Sequence, residues 1–258
     1  MIQLTVLAVG ATGSIGRPVL AEALAAGHAV RALVRDPDRA RTLPAGAQVV
    51  IGDVTDPTSL VEAVAGIDAV VITLGSDGQG RAGARGIDYG GVRNLLLAIG
   101  HRPVRIALMT AIGVTNRSGH YNLTTEVHDW KRRSERLVRA SGLEYTIVRP
   151  GWFDYNNPQE YRIVMLQGDR RQAGTPADGV IARTQIARVL VGSLTSDAAR
   201  HMTLELVAEA GPEQPDLEPL FASLDADPEG SLDGASDRPN QPLDGEPAEV
   251  RADLEAMN

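Results

Sequence analysis

The segment Gly10-Ala11-Thr12-Gly13-Ser14-Ile15-Gly16 constrains the fold most, because it joins an apolar run of strand length, Leu4–Val9, to a segment of helical period, Ile15–Ala26. Glycine is required where a backbone turns tightly and comes close to a pyrophosphate, whose charge then rests on free N–H groups at the helix N-terminus. Three glycines alone mark little more than a turn. Between a first strand and a first helix they predict a phosphate-binding turn, with Gly10, Thr12, Gly13, Ser14, Ile15 and Gly16 at the ligand.

The rest of the body repeats this alternation. Strands are expected at Ala29–Val34, Gln48–Ile51, Ala69–Ile72, Arg105–Met109, Glu144–Val148 and Thr203–Val207, with helices at Ser59–Ala65, Ile87–Ile99, Val127–Ser141 and Gln185–Leu194. Gly27 and Gly142 are placed to end helices in the left-handed conformation, and Thr184 to cap the helix after it. With 258 residues, 43% of them hydrophobic, the chain can bury a large core. Residues 1–208 are therefore expected to form an α/β domain, a doubly wound Rossmann-type parallel sheet with helices on both faces.

Charge separates the remainder. Residues 209–258 hold 14 acids, two Arg and seven of the 15 Pro, a net charge of −12 against +4 for the body. This acidic, Pro-rich C-terminal extension has the composition of a disordered tail. It is nevertheless expected to lie on an Arg-bearing surface of the body or of a second copy, a homodimer. Ordering 50 residues against chain entropy takes apolar anchors, and Leu217, Leu220, Phe221, Leu224, Leu232 and Leu243 are those expected, with a short helix over Leu217–Leu224. A mildly basic body without a concentrated basic stripe argues against nucleic acid as a partner. The chain has no Cys, which removes thiolate metal sites and Cys nucleophiles, and His120, His128 and Asp129 do not make a metal set. No run approaches the ~18 apolar residues of a membrane span, so a cytoplasmic protein is expected.

Further candidates fall at the carboxyl ends of the expected strands, where ligands of such sheets gather. Arg35-Asp36 ends the second strand at about the spacing where an acid selects a free ribose 2′-hydroxyl and an Arg a 2′-phosphate; Arg35 comes first, so NADP is expected, and Asp36 leaves NAD open. Arg17 either assists or lies on its helix surface. Asp53 and Val54 are placed to meet an adenine, and Thr73, Leu74 and Gly75 to border the cofactor. The stretch Gly75–Gly86 has five Gly and is either a lid or a flexible connector. Trp152 and Phe153, after Arg149-Pro150-Gly151, form an apolar wall for a flat substrate, with Tyr155 near, unless they are core residues. Lys131 is the only Lys beside 24 Arg, which suggests a place that demands an ammonium.

Taken together, Gly10–Gly16, Ala32–Asp36, Gly52-Asp53, Asp88–Leu95, Lys131 with its helix to Leu143, Tyr145–Gly151 and Ile181–Ala187 resemble an atypical short-chain dehydrogenase/reductase of the NmrA-like and biliverdin/flavin-reductase branch. The resemblance covers about residues 3–208 and implies a catalytic Tyr-x-x-x-Lys helix with a Ser beyond the fifth strand. Lys131 matches, Val127 stands at the Tyr position, and Thr110-Ala111 stands where the Ser would be. The family's Lys also grips the nicotinamide ribose, a role independent of the Tyr, so Lys131 and Thr110 are the catalytic candidates. Tyr121, His128 and Tyr155 lie near in sequence. Three functions follow as expectations: an NADP-dependent oxidoreductase acting on a small planar flavin, quinone, bilin or carbonyl acceptor; a non-catalytic NADP-binding redox sensor; and a non-redox isomerase or dehydratase on the same fold.

Overall fold

Val6 and Ala8 of the first strand pack into one core cluster and Leu7 and Val9 into another, and all four are buried. A strand buried on both faces belongs inside a parallel sheet covered by two layers of helix. The computed structural model, which describes residues 2–76 and 78–257, has that architecture.

Along the chain, β1 (Thr5–Val9), α1 (Gly16–Ala25), β2 (Ala29–Val34), α2 (Pro37–Ala40), β3 (Gln48–Ile51), α3 (Leu60–Ala63) and β4 (Ala69–Ile72) come first. They are followed by α4 (Gly80–Gly83), α5 (Gly90–Ile99), β5 (Arg105–Met109), α6 (His120–Thr125), α7 (Val127–Ala140), β6 (Tyr145–Pro150), β7 (Trp152–Phe153) and β8 (Arg162–Leu166). The chain ends with β9 (Val180–Ile181), α8 (Arg183–Ser193), β10 (Met202–Glu209), α9 (Glu218–Phe221) and α10 (Ala248–Met257). The sheet order is β3-β2-β1-β4-β5-β6-β10-β9-β7, with β8 also paired to β10. From β3 to β10 the pairs are parallel, while β8 and β9 run antiparallel to β10. The chain order reverses between β1 and β4, and the crevice beyond their carboxyl ends is where such sheets bind ligands. Among the described residues no helix is long and apolar enough to cross a membrane.

The strands read from the sequence recur with ends shifted by at most two residues, and Gly27 and Gly142 take positive φ after α1 and α7. Thr184 does not cap α8. The N-cap is Ala182, and the Arg183 N–H is met instead by Asp154 Oδ1 at 3.0 Å. The expected helix from Ile87 begins as a π-helical turn, Ala84–Tyr89, before α5. The glycine-rich stretch is not a loose connector: α4 lies within it, and Arg81 donates to the carbonyls of Leu123 and Thr124 at 2.9 and 3.3 Å. Asp77 of that stretch lies outside the described residues.

The extension packs on its own body. Leu217 and Phe221 are buried, Leu220, Leu224 and Leu232 are partly so, and the short helix is trimmed to α9. Leu243 is exposed and anchors nothing. Its place is taken by α10, whose Val250, Leu254 and Met257 are buried at the i, i+4, i+7 spacing of a helix face.

Charge docks the extension as well. α7 is buried along most of its length although it carries Arg132, Arg133, Glu135, Arg136 and Arg139. Asp233 lies 3.0 Å from Arg132 and 2.8 Å from Arg136; Glu246 lies 2.6 Å from Arg133 and 3.2 Å from Arg136. Asp227 pairs with Arg139 at 3.1 Å and Asp237 with Arg149 at 2.7 Å. Arg133 also stacks over Trp130, 4.4 Å from the ring centroid. Removing one partner of a buried ion pair costs ~3–5 kcal/mol, because the other charge is left dry and unpaired. A chain cut after Ala210 loses Asp227, Asp233, Asp237 and Glu246, and with them a carboxylate partner of each of five buried arginines, so it is expected to show no cooperative melt. A truncated chain melting at the temperature of the full chain would contradict this.

Glu205 of β10 sits in the same interior. Burial pushes its carboxyl up to about 7; Arg149 opposes the rise, and Asp169 and Asp237 add to it. The folded chain thus holds this proton more tightly than the unfolded chain does. The resulting stabilisation is complete below pH 4.5, the ordinary carboxyl value, and is lost as pH rises towards 7. Within that window the loss approaches ~1.4 kcal/mol per pH unit. Glu205→Gln fixes the neutral form, so the melting temperature of the variant minus that of the unmodified protein should rise by several degrees between pH 5 and pH 8. An unchanged difference would show that Glu205 is not raised.

Candidate active site

Gly10 ends β1 with φ +83°, and a Cβ there would fall 2.7 Å from the Thr73 carbonyl oxygen. A Cβ on Gly16 would come 2.1 Å from the Gly10 carbonyl oxygen, so the turn closes only on hydrogen at both positions. The Gly13 N–H donates to the Gly10 carbonyl at 2.8 Å and fixes the loop. α1 has no side-chain cap at Ile15 and no acid in its first turn. The positive end of its dipole is thereby left to an anion.

The turn opens on a cleft of about 850 Å³ along the carboxyl ends of β1, β2, β4 and β5. The structure brings Gly10, Thr12, Gly13, Ser14, Ile15, Arg35, Asp53, Val54, Thr73, Leu74, Gly75, Thr110, Lys131 and Phe153 together on its wall. Gly16 lies behind the turn. Trp152 and Tyr155 are outside the cleft, packed edge to face on each other at 6.1 Å and exposed. Successive residues of a strand point to opposite faces, so Phe153 can face the cleft only if Trp152 turns away. The expected two-residue aromatic wall is reduced to Phe153.

At the outer end Arg35 is mostly exposed and lies 3.9 Å from Asp53 Oδ2. Asp53 Oδ1 is engaged by the Thr55 N–H and hydroxyl at 2.9 and 2.8 Å. Asp36 caps α2, accepting from the Asp38 N–H at 3.0 Å. One turn later Arg39 reaches back to the Thr12 carbonyl at 3.4 Å and joins Arg35 on the wall. Arg39 escaped the sequence reading, although Asp36-Pro37 is an N-cap followed by a first-turn proline and so announces the helix that carries it. Arg17 is turned to the Thr42 hydroxyl at 2.9 Å.

At the inner end the Lys131 ammonium is 2.8 Å from Asp88 Oδ1 and 3.3 Å from the Leu74 carbonyl. The other Asp88 oxygen takes the Ser76 hydroxyl. An ammonium has three donors, so these contacts leave one N–H for a ligand. Asp88 comes from the π-helical turn before α5, a geometry that often serves functional sites. Val127 lines the cleft one turn before Lys131, and His128 and Tyr121 line it beside them, with ring centroids 5.3 Å apart. Burial lowers the His128 pKa, so this imidazole is neutral at pH 7. Thr110 also faces the cleft, but its hydroxyl donates at 2.7 Å to Glu135.

Residues 10–197 match the model of a family described as NAD(P)H-binding. A chloroplast protein of Arabidopsis thaliana, At2g34460, is 28% identical over 85% of this chain and 82% of its own. Sanguinarine reductase of Eschscholzia californica is 26% identical over 86% of this chain and 96% of its own. Among solved structures, ChuY, an anaerobillin reductase of Escherichia coli O157:H7, aligns with a TM-score of 0.63 at 21% identity, over 83% of this chain and 99% of its own, a likeness of fold. With most of its length under the family model and a glycine turn built for a pyrophosphate, the chain belongs to the NAD(P)H-binding family.

Proposed function

We propose that the chain is an NADPH-dependent reductase that acts on a small, planar organic acceptor of the flavin, quinone or bilin type. The observation that carries this reading is the inner end of the cleft, where the only Lys of the chain is fixed by Asp88 and Leu74 with one N–H to spare. The named reductases among its relatives support the same reaction class. The bound nicotinamide supplies a hydride.

The glycine turn and the uncapped α1 would take the pyrophosphate, and Arg35 with Arg39 the 2′-phosphate. The Asp36 carboxylate serves α2 as its cap, which favours NADP over NAD. Asp53 and Val54 would border the adenine, with Thr73, Leu74 and Gly75 along the middle of the cofactor and Lys131 on the nicotinamide ribose. Val127 offers no phenol, and the Thr110 proton is committed to Glu135, so neither residue protonates a carbonyl oxygen. A conjugated ring that spreads the incoming electron pair does not depend on such a donor and can take its proton from water. Phe153, Tyr121 and His128 supply flat walls for that ring.

The test is to mix the protein with NADPH and a panel of flavins, quinones and carbonyl compounds and to follow the absorbance of the reduced nicotinamide. Turnover of a flavin or quinone is expected. Tight NADPH binding without turnover of any acceptor would favour a binding-only protein and overturn the reading.

Charge-assisted hydrogen bonds contribute ~1.5–3 kcal/mol each, so Arg35→Ala and Arg39→Ala should each weaken NADPH binding by roughly tenfold and leave NADH binding nearly unchanged. Titration by nicotinamide fluorescence reads both constants, and equal losses for the two cofactors would count against the 2′-phosphate assignment. Lys131→Ala should lower kcat/KM at least roughly tenfold, and Lys131→Arg should restore it only in part, because a planar guanidinium does not replace a compact ammonium. Full restoration by Arg in the same kinetic assay would contradict the ribose contact.

A further inference from the structure

Thr110 stands just beyond the carboxyl end of β5, on the cleft wall and otherwise buried. Its hydroxyl crosses to α7 and donates to Glu135 Oε1 at 2.7 Å. Burial alone would raise the Glu135 pKa, but Arg149, Arg139 and the Thr110 hydroxyl bring it down to about 2. An ionised carboxylate only accepts, so the Thr110 proton is fixed towards Glu135. To a molecule in the cleft the Thr110 hydroxyl can therefore offer lone pairs and not its proton.

Glu135 is in turn held by Arg149, from Nε to Oε1 at 3.0 Å and from Nη2 to Oε2 at 2.7 Å. The outer edge of the same guanidinium takes Asp237 of the extension, Nη1 to Oδ1 and Nη2 to Oδ2, both at 2.7 Å. Glu205 accepts from Nη1 at 3.3 Å, so all five donors of Arg149 face carboxylate oxygens. Asp237 is itself fixed by the Gly234 N–H at 3.0 Å. A continuous buried chain of charge-assisted contacts thus runs from the extension to the floor of the cleft.

We infer that Asp237 is a positioning residue for the cleft: by completing the carboxylate shell of Arg149 it holds Glu135 where Glu135 takes the Thr110 proton, so that Thr110 accepts a hydrogen bond from an N–H or O–H of the bound molecule. The identity of that molecule rests on the reductase reading; the chain of contacts does not. Asp237→Asn removes one of the charges that orient Arg149, so Glu135 loses its fixed place and the Thr110 hydroxyl is freed to turn.

Two measurements on the full chain test this. The first is hydrogen exchange of the Thr110 hydroxyl proton by NMR, which Asp237→Asn should speed at least tenfold relative to the change at the Leu7 and Val9 amides. An equal change at all three sites is general loosening and would overturn the inference. The second is a double-variant cycle with NADPH and riboflavin. Thr110→Val and Asp237→Asn are each expected to lower kcat by about tenfold, and the double variant to be no worse than Thr110→Val alone. A loss near a hundredfold in the double variant means independent effects and overturns it. Should Asp237→Asn not fold, Asp237→Glu, which keeps the charge but shifts the carboxylate, should show the same two signs at smaller size. If riboflavin and every other acceptor fail with the unmodified protein, the reductase reading falls and the exchange measurement alone decides the positioning role.

Discussion

A guanidinium in a dry interior is tolerable only while carboxylates surround it, and Arg149 is the place where this chain depends on that condition. Glu135 of the body and Asp237 of the extension supply the charge, and the carboxyl of Glu205, raised to about 7, accepts from Arg149 as well; all lie within 3.3 Å. The same condition recurs along α7, where Asp227, Asp233 and Glu246 answer four more arginines. Seating α7 also sets the cleft, because the helix face that carries the arginines is continuous with the one that presents Val127, His128 and Lys131. Ion pairs of this kind are poor sources of net stability, since desolvation offsets most of the attraction. They are strong sources of dependence: each half is costly without the other.

The cleft divides its chemistry by position. Its outer end is accessible and charged, with Arg35 and Arg39 standing beside Asp36 and Asp53, and the two guanidiniums suit a phosphate that arrives with its own charge. Its inner end is nearly neutral, since Asp88 balances the Lys131 ammonium, His128 is uncharged at pH 7 and the other described residues of that wall carry no charge. A nicotinamide and a flat conjugated ring suit such a place better than an anion does. The absence of a phenol at Val127 and the fixed direction of the Thr110 proton point the same way, towards acceptors that need no proton from either position.

Much of this was legible in the sequence because it is local. The glycine turn, the strands and the sole Lys follow from period, steric need and composition, and the net charge of the extension announced an arginine surface beneath it. What stayed hidden depends on contacts between distant segments. Thr184 has the chemistry of a cap but lost the role to Asp154, 30 residues away. Asp36, which left NAD open beside Arg35, also caps α2, a role that Pro37 beside it signals. Trp152 and Phe153 are neighbours in the sequence, but the two-residue period of a strand turns them to opposite faces. α10 shows Val250, Leu254 and Met257 at helical spacing, but the acids and prolines around them outweighed that pattern. Glu135 gave no sign at all, because a Glu amid arginines on a helix reads as a solvated face until another segment covers it.

The central claim, that this cleft holds NADPH with its 2′-phosphate at Arg35 and Arg39 and its nicotinamide at Lys131, is tested most directly by a crystal structure of the full chain grown with NADP+. The account predicts the pyrophosphate over Gly13 and the N-terminus of α1, the 2′-phosphate within hydrogen-bond distance of both arginines, and a nicotinamide ribose hydroxyl on Lys131 Nζ. A cofactor lying in the opposite sense, or one whose ribose leaves Lys131 bound only to Asp88 and Leu74, would contradict it.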